Sequence, residues 1–264
     1  MLFGGFDRFD ELPTRTRATI AVDGPAALTD FDVVMGHFAV SSLAPHFAAH
    51  EMMTVLREPR TRLLSHYTFW SGWSAERHAD WDPYDASRRA AAASWVEFLT
   101  DPRIASQTDN LVARMLLSPH PSIPDDGFID PADVDQLVET ATALLEQFGF
   151  ADVVESGAGL WSGLSAWLET TVEPERTLVT SVPEDTDWAS SITMASVAAL
   201  SRRTSVDAHL WSWAAARRND DVAALGEVTF QRKLIDVAST TPGTRSVTRS
   251  ATSTLHRIAQ RLRG

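Results

Sequence analysis

The sequence predicts a helix-rich α/β domain in which a mainly parallel sheet carries helices on both faces. Three observations predict it. Short apolar runs at 32–35, 52–56 and 150–154 are of strand length, and the last two lead into segments that open helices. Between and after them lie longer stretches whose apolar residues recur at helical spacing, and strands alternating with helices are the pattern of a parallel sheet. Finally, 264 residues of which 44% are hydrophobic can bury one substantial core. A single domain over 1–240 is expected, followed by a basic tail or helix over 241–264.

Residues 1–20 read as helix and loop broken at Pro13, and 32–35 as a strand ending in Gly36-His37. The segment 42–50 is a short helix or loop. Residues 52–56 form the strand that ends at Arg57. Pro59 then opens a helix to about residue 73, because proline suits a first turn, where its missing N–H has no intrahelical partner to lose. A charged, tryptophan-bearing loop is expected over 77–84, helices over 86–99 and 107–117, and a loop over 118–130. Asp130 stands where it can cap a helix that has Pro131 in its first turn and runs to 148. A strand follows over 150–154, a helix over 161–168 and a polar connector over 174–190. Helices over 194–200 and 205–218 precede a long helix from about 222.

Composition narrows the function. There is no cysteine, which excludes disulfides, thiol catalysis and cysteine-ligated metals together. A reducing compartment, the cytoplasm, is expected. No apolar run reaches membrane-spanning length, and the N-terminus shows no basic-then-apolar leader. The net charge is −12, from 23 basic and 35 acidic residues. Such a chain repels polyanions, which argues against nucleic acid and heparan-like partners and for a neutral glycan or small hydroxylated molecule. The charge is uneven: no acidic residue follows Asp236, whereas Arg245, Arg249, Arg257, Arg261 and Arg263 do. This fits a solvated basic tail, or one that meets an acidic partner or the rest of the fold.

The most informative stretch is Thr54-Val-Leu-Arg-Glu-Pro-Arg-Thr-Arg-Leu-Leu-Ser-His-Tyr67. It reads as strand, arginine at the strand's end, helix start, and a serine about two turns in. Ligands of open α/β sheets bind outside the carboxyl ends of the strands. A guanidinium fork beside helix N-terminal N–H groups favours a phosphate there.

Arg57, Pro59, Arg62, Ser65 and Tyr67 in this order resemble the Arg-Asp-Pro-x-x-Arg-x-x-Ser-x-Tyr signature of carbohydrate sulfotransferases related to the heparan-sulfate 2-O-sulfotransferases, with Glu58 in place of Asp. The resemblance implies a P-loop NTPase-like fold and the co-substrate 3'-phosphoadenosine 5'-phosphosulfate (PAPS), with no metal. It also implies that Arg57 and Ser65 hold the 3'-phosphate. A histidine suits proton abstraction near neutral pH. His37, in a Gly-His about twenty residues before the arginine motif, matches the catalytic base of these relatives, while Met35 stands where they can carry a second histidine. Asn110 and Arg114 resemble the family's Asn-x-x-x-Arg-x-Leu helix facing the cofactor and acceptor cleft. The run from Arg202 to Ala214 resembles a late Asp-x-x-Leu-Tyr-x-x-Ala helix, with Trp211 for Tyr. Trp70, Trp73 and Trp81 follow the motif and offer large apolar surfaces for a sugar, with core or lid packing as the plainer role.

One family element is absent from the sequence. Nothing in residues 1–31 resembles the Lys-Thr-Gly-Gly-Thr loop that holds the 5'-phosphosulfate, and the family's Val-Gly-x-Thr-Glu-x-Phe run is missing too. The expectation is a chain start placed downstream of the true one, and the alternative a catalytically inactive relative that binds a nucleotide or a protein. Rival motifs are weaker. Gly157 and Gly159 are followed by Ser162 and not by a third glycine, so a dinucleotide fingerprint fails and a tight strand-to-helix turn suffices. His46 and His50 lack a glutamate between them for a zinc site, and no G-x-S-x-G elbow occurs.

Overall fold

A computed structural model describes residues 39–45, 47–72, 86–173 and 192–239. The expected elements over 1–20 and 32–35, His37, His46, Trp73, Trp81, the polar connector over 174–190 and the basic tail lie outside the described residues. The described chain begins with a single turn, α1 (Val40–Leu43), and β1 (Met53–Leu56). Helix α2 (Pro59–Ser71) follows, then α3 (Ala86–Ala92), α4 (Trp95–Thr100), α5 (Ala105–Thr108) and α6 (Leu111–Leu117). Next come α7 (Val134–Leu145), β2 (Phe150–Val153), α8 (Ala158–Trp167), α9 (Met194–Arg203), α10 (Ser205–Ala215) and α11 (Val222–Ser239).

The two strands pair in parallel, in the register Met53↔Phe150 through Leu56↔Val153. Among the described residues they form the whole sheet. The α/β class is therefore present in a helix-rich form, with helices packed around a small parallel pair. Two such short strands are marginal alone, and α8 and α10 cover β2.

Two apolar clusters hold the helices. In one, α2 supplies Leu63, Leu64, Tyr67 and Trp70 to Trp95 and Phe98 of α4 and Phe230 and Val237 of α11. The other joins Leu56 and Val153 of the sheet to Leu137, Ala141 and Leu145 of α7 and Val206, Leu210 and Trp211 of α10. Each large apolar side chain removed from water contributes about 1.5–3 kcal/mol.

The helix expected over 86–99 is two helices. The break falls at Ser94, whose hydroxyl accepts from Glu97 N–H while the Glu97 carboxylate accepts from Ser94 N–H, a capping box opening α4. The helix expected from 107 starts anew at 111, because Asn110 is left-handed (φ 47°). Helix α8 begins at Ala158, earlier than the expected 161. Gly157 turns the chain there at φ 55°, a conformation open to glycine. No helix among the described residues is long and apolar enough to cross a membrane.

Candidate functional site

The carboxyl ends of β1 and β2 lie side by side, so the residues after each strand meet. Arg57 and Glu58 follow β1, and Glu155 follows β2 one residue later. Glu155 Oε1 accepts from Glu58 N–H at 3.0 Å and its Oε2 from Trp211 Nε1 at 3.0 Å. Glu58, 2% exposed, caps α2: its Oε2 accepts from Thr61 N–H at 2.7 Å and its Oε1 from Arg60 Nε at 2.7 Å. Carboxylates thus occupy the N–H groups of Glu58 and Thr61 at the start of α2. Two of the amides expected beside the guanidinium are thus taken by carboxylates, which leaves side-chain charge as the larger part of what this turn offers a ligand.

That charge is concentrated. Arg57 is exposed, and Arg62 and Lys233 are half-buried. Desolvation lowers the pKa of Arg57, with Glu155 and Glu58 working against it. Burial lowers Arg62, Asp207 opposes that, and Arg57 adds to the lowering. Burial also lowers Lys233, Arg57 adds to it, and Asp236 opposes. Arg57 therefore lies within reach of the fields of Arg62 and of Lys233. None of their charged heads makes a hydrogen bond or ion pair among the described residues. By contrast, Arg60, Arg103, Arg114, Arg203 and Arg218 are each paired with a carboxylate. Two hydroxyl oxygens one turn apart on α2, Thr61 Oγ1 and Ser65 Oγ, are buried without a hydrogen-bond partner among the described residues. Unpaired charge and unpaired hydroxyls carry a desolvation cost that a bound anion would relieve.

The other expected site residues are placed differently. Asn110 is 2% exposed. Its Oδ1 accepts from Val206 N–H at 2.7 Å and Asp207 N–H at 3.3 Å, capping α10. Asp207 returns the favour at α6, accepting from Ala113 and Val112 N–H at 2.9 and 3.1 Å. Arg114 is wholly buried, and its nitrogens donate to the oxygens of Asp109, Pro124 and Gly127. Both residues lock the joint of α6, α10 and the following loop, with no group left over for an acceptor. Trp70 is also wholly buried. His66 stacks edge-on against it at 4.2 Å between centroids, so Trp70 offers no face to a sugar. Tyr67 packs between Trp95 and Phe98.

Glu155, Asp207 and Lys233 were not legible as site residues. Glu155 had one available signal, since it follows the second strand almost as Arg57 follows the first. Among the described residues no group of His, Asp or Glu is placed to hold a metal ion. No protein-family model, curated protein or solved structure matches this chain.

Proposed function

We propose that the chain is a sulfotransferase that moves a sulfuryl group from PAPS to a hydroxyl of a glycan or other neutral hydroxylated acceptor. Arg57 and Ser65 hold the 3'-phosphate in this reading, and His37 takes the acceptor's proton as its oxygen attacks sulfur. The new S–O bond forms as the bond from sulfur to the 5'-phosphate oxygen breaks, and 3',5'-adenosine bisphosphate leaves with the electron pair. No metal is required. One observation supports this reading above the rest: among the described residues Arg57 at a strand's carboxyl end is unpaired, and the Ser65 hydroxyl on the helix that follows is unpartnered.

The test is calorimetric titration of 3',5'-adenosine bisphosphate into the chain and into Arg57→Ala. Binding weakened at least tenfold in the variant is expected, because a hydrogen bond to a charged group is worth about 1.5–3 kcal/mol. Unchanged affinity removes Arg57 from the site. In a chain shown to turn over, His37→Ala is expected to lower turnover far more than nucleotide affinity.

A second reading is a catalytically inactive nucleotide-binding or protein-binding relative. The carboxylates of Glu155 and Glu58 on the N-terminal amides of α2 favour it, because they leave fewer preorganised donors for a transferring group. Bisphosphate binding without sulfuryl transfer to any hydroxylated acceptor would decide for it.

A further inference from the structure

We propose that the basic segment 245–262 docks as an antiparallel helix on the outer face of α11, closing an αα-hairpin. Helix α11 is apolar on two opposite sides. At about 100° per residue, Gly226, Phe230 and Val237 share its inner side, and all three are buried. Phe230 and Val237 belong to the cluster of Leu63, Leu64 and Tyr67 on α2. Arg60 pins that side, with Nη1 3.2 Å from Glu227 Oε2, Nη2 donating to Gly226 O at 3.2 Å, and its guanidinium 4.3 Å from the centre of the Phe230 ring. The far side carries Ala224, Val228, Gln231 and Ile235, all exposed. Val228 is 55% exposed and Ile235 64%. Single exposed apolar residues are ordinary. Two large ones, two turns apart and directly opposite a buried face, mark a helix that has a second layer to receive.

Periodicity, length and charge name the occupant. After α11 the apolar residues are Val247, Ala251, Leu255, Ile258 and Leu262, a stripe at helical spacing. Its remaining residues are largely Ser, Thr and Arg, and a lone helix of that length and composition is marginal in water without a partner face. The linking stretch 240–244 contains Pro242-Gly243, a turn pair, and its length suits two antiparallel helices. Helix α11 has 18 residues, about 27 Å, and 245–262 matches it in length. Charge agrees as well. Asp220 and Glu227 lie along one edge of the outer stripe of α11, and both are exposed. Arg257 and Arg261 lie along the same edge of the tail's stripe, and antiparallel helices bring like-named edges together. Glu227 already accepts from Gln231 Nε2 at 2.7 Å, which holds it beside the stripe. Arg232, on the other edge of α11, falls opposite Thr252 and Ala259, where no arginine repels it.

The chain has no cysteine, so introduced pairs report cleanly. In the full chain, Ile235→Cys is combined with Ala251→Cys, and separately with Ser253→Cys on the other side of the tail's stripe. Under mild oxidation the first pair is expected to close within one chain about tenfold faster than the second, because docking raises its effective concentration. Limited trypsin digestion reads the same contact without cysteines. Cleavage after Arg249, Arg257 and Arg261 is expected to be slow in wild type and about tenfold faster in Val228→Asp and in Leu255→Asp, each of which puts a charge on the apolar seam. Circular dichroism first shows that the variants are folded, as the exposure of Val228 predicts. Equal closure of both cysteine pairs, or digestion that neither substitution speeds, overturns the inference. A disulfide that forms only between two chains overturns it in favour of a second copy as the occupant. Wild type that binds vesicles of phosphatidylcholine and phosphatidylserine, with neither the disulfide nor the protection, overturns it in favour of a membrane surface.

Discussion

Replacing Arg114 by Met separates a scaffold role from an acceptor-binding one. Arg114 is wholly buried beside Asp109, which is 1% exposed. Its Nε donates to Asp109 O at 2.8 Å, Nη1 to Pro124 O at 2.8 Å, and Nη2 to Gly127 O at 2.8 Å and Asp109 Oδ2 at 3.0 Å. Methionine fills much of the same space but makes none of these bonds. It strands the Asp109 carboxylate with Arg203 Nη1 at 3.2 Å, Asn110 Nδ2 at 3.2 Å and Ile129 N–H at 2.9 Å. Burial already raises the pKa of Asp109 despite Arg114 and Arg203, so little countercharge is to spare. Removing one partner of a buried pair costs about 3–5 kcal/mol, and three deprived carbonyls place Arg114→Met at the upper end. That is a large part of a typical stability of about 5–15 kcal/mol. Urea unfolding followed by tryptophan fluorescence reads the loss. Asp109→Asn combined with Arg114→Met is expected to lose less than the sum of the single changes, because the second removes the charge the first strands. A single variant within about 1 kcal/mol of wild type would refute the scaffold role and return Arg114 to a cleft.

Two further outcomes follow from the same packing. Burial raises the Asp207 carboxyl from 3.8 to about 6, so the folded chain holds this proton more tightly than the unfolded one. Its stabilising contribution is full below about pH 4, falls as pH rises toward 6, and is gone above, a change of about 3 kcal/mol. The stability of wild type minus that of Asp207→Asn, from urea titrations at pH 4 to 7.5, is expected to decline across that window; a flat difference would contradict the assignment. Trp70→Ala is expected to lose about 3–5 kcal/mol by emptying a core site, whereas a residue that only stacked on sugars would leave the urea midpoint in place.

Much of the fold was legible because its signals are local. Pro59 at the helix start, Asp130 capping Ala132 N–H, and the apolar runs of β1 and β2 all act within a few residues of themselves. The break at Ser94 was legible too, in Ser94-Trp-Val-Glu97, but the apolar spacing of 86–99 hid it. Asn110 and Arg114 were harder. Their four-residue spacing reads as one helix face, yet Asn110 is a left-handed cap whose partners, Val206 and Asp207, stand about a hundred residues away along the chain. Glu155 reaches the turn after β1 only through the pairing of β2 with β1, and α11 meets Arg60 of α2 only through their packing. No window of sequence contains those meetings.

The contrast between Arg114 and Arg57 shows how the structure sorts charged residues that a motif treats alike. A guanidinium whose donors are all matched by protein oxygens has no differential interaction left for a ligand, however suggestive its spacing. Arg57 is the reverse: the end of β1 positions it, and among the described residues its donors are unmatched. Preorganisation of this kind favours binding, because ordering the side chains costs less when their stems are already held. An anion bound at Arg57 would be gripped mostly by charge, in a chain of net −12. Such a grip loosens as salt screens the charges that remain open to solvent.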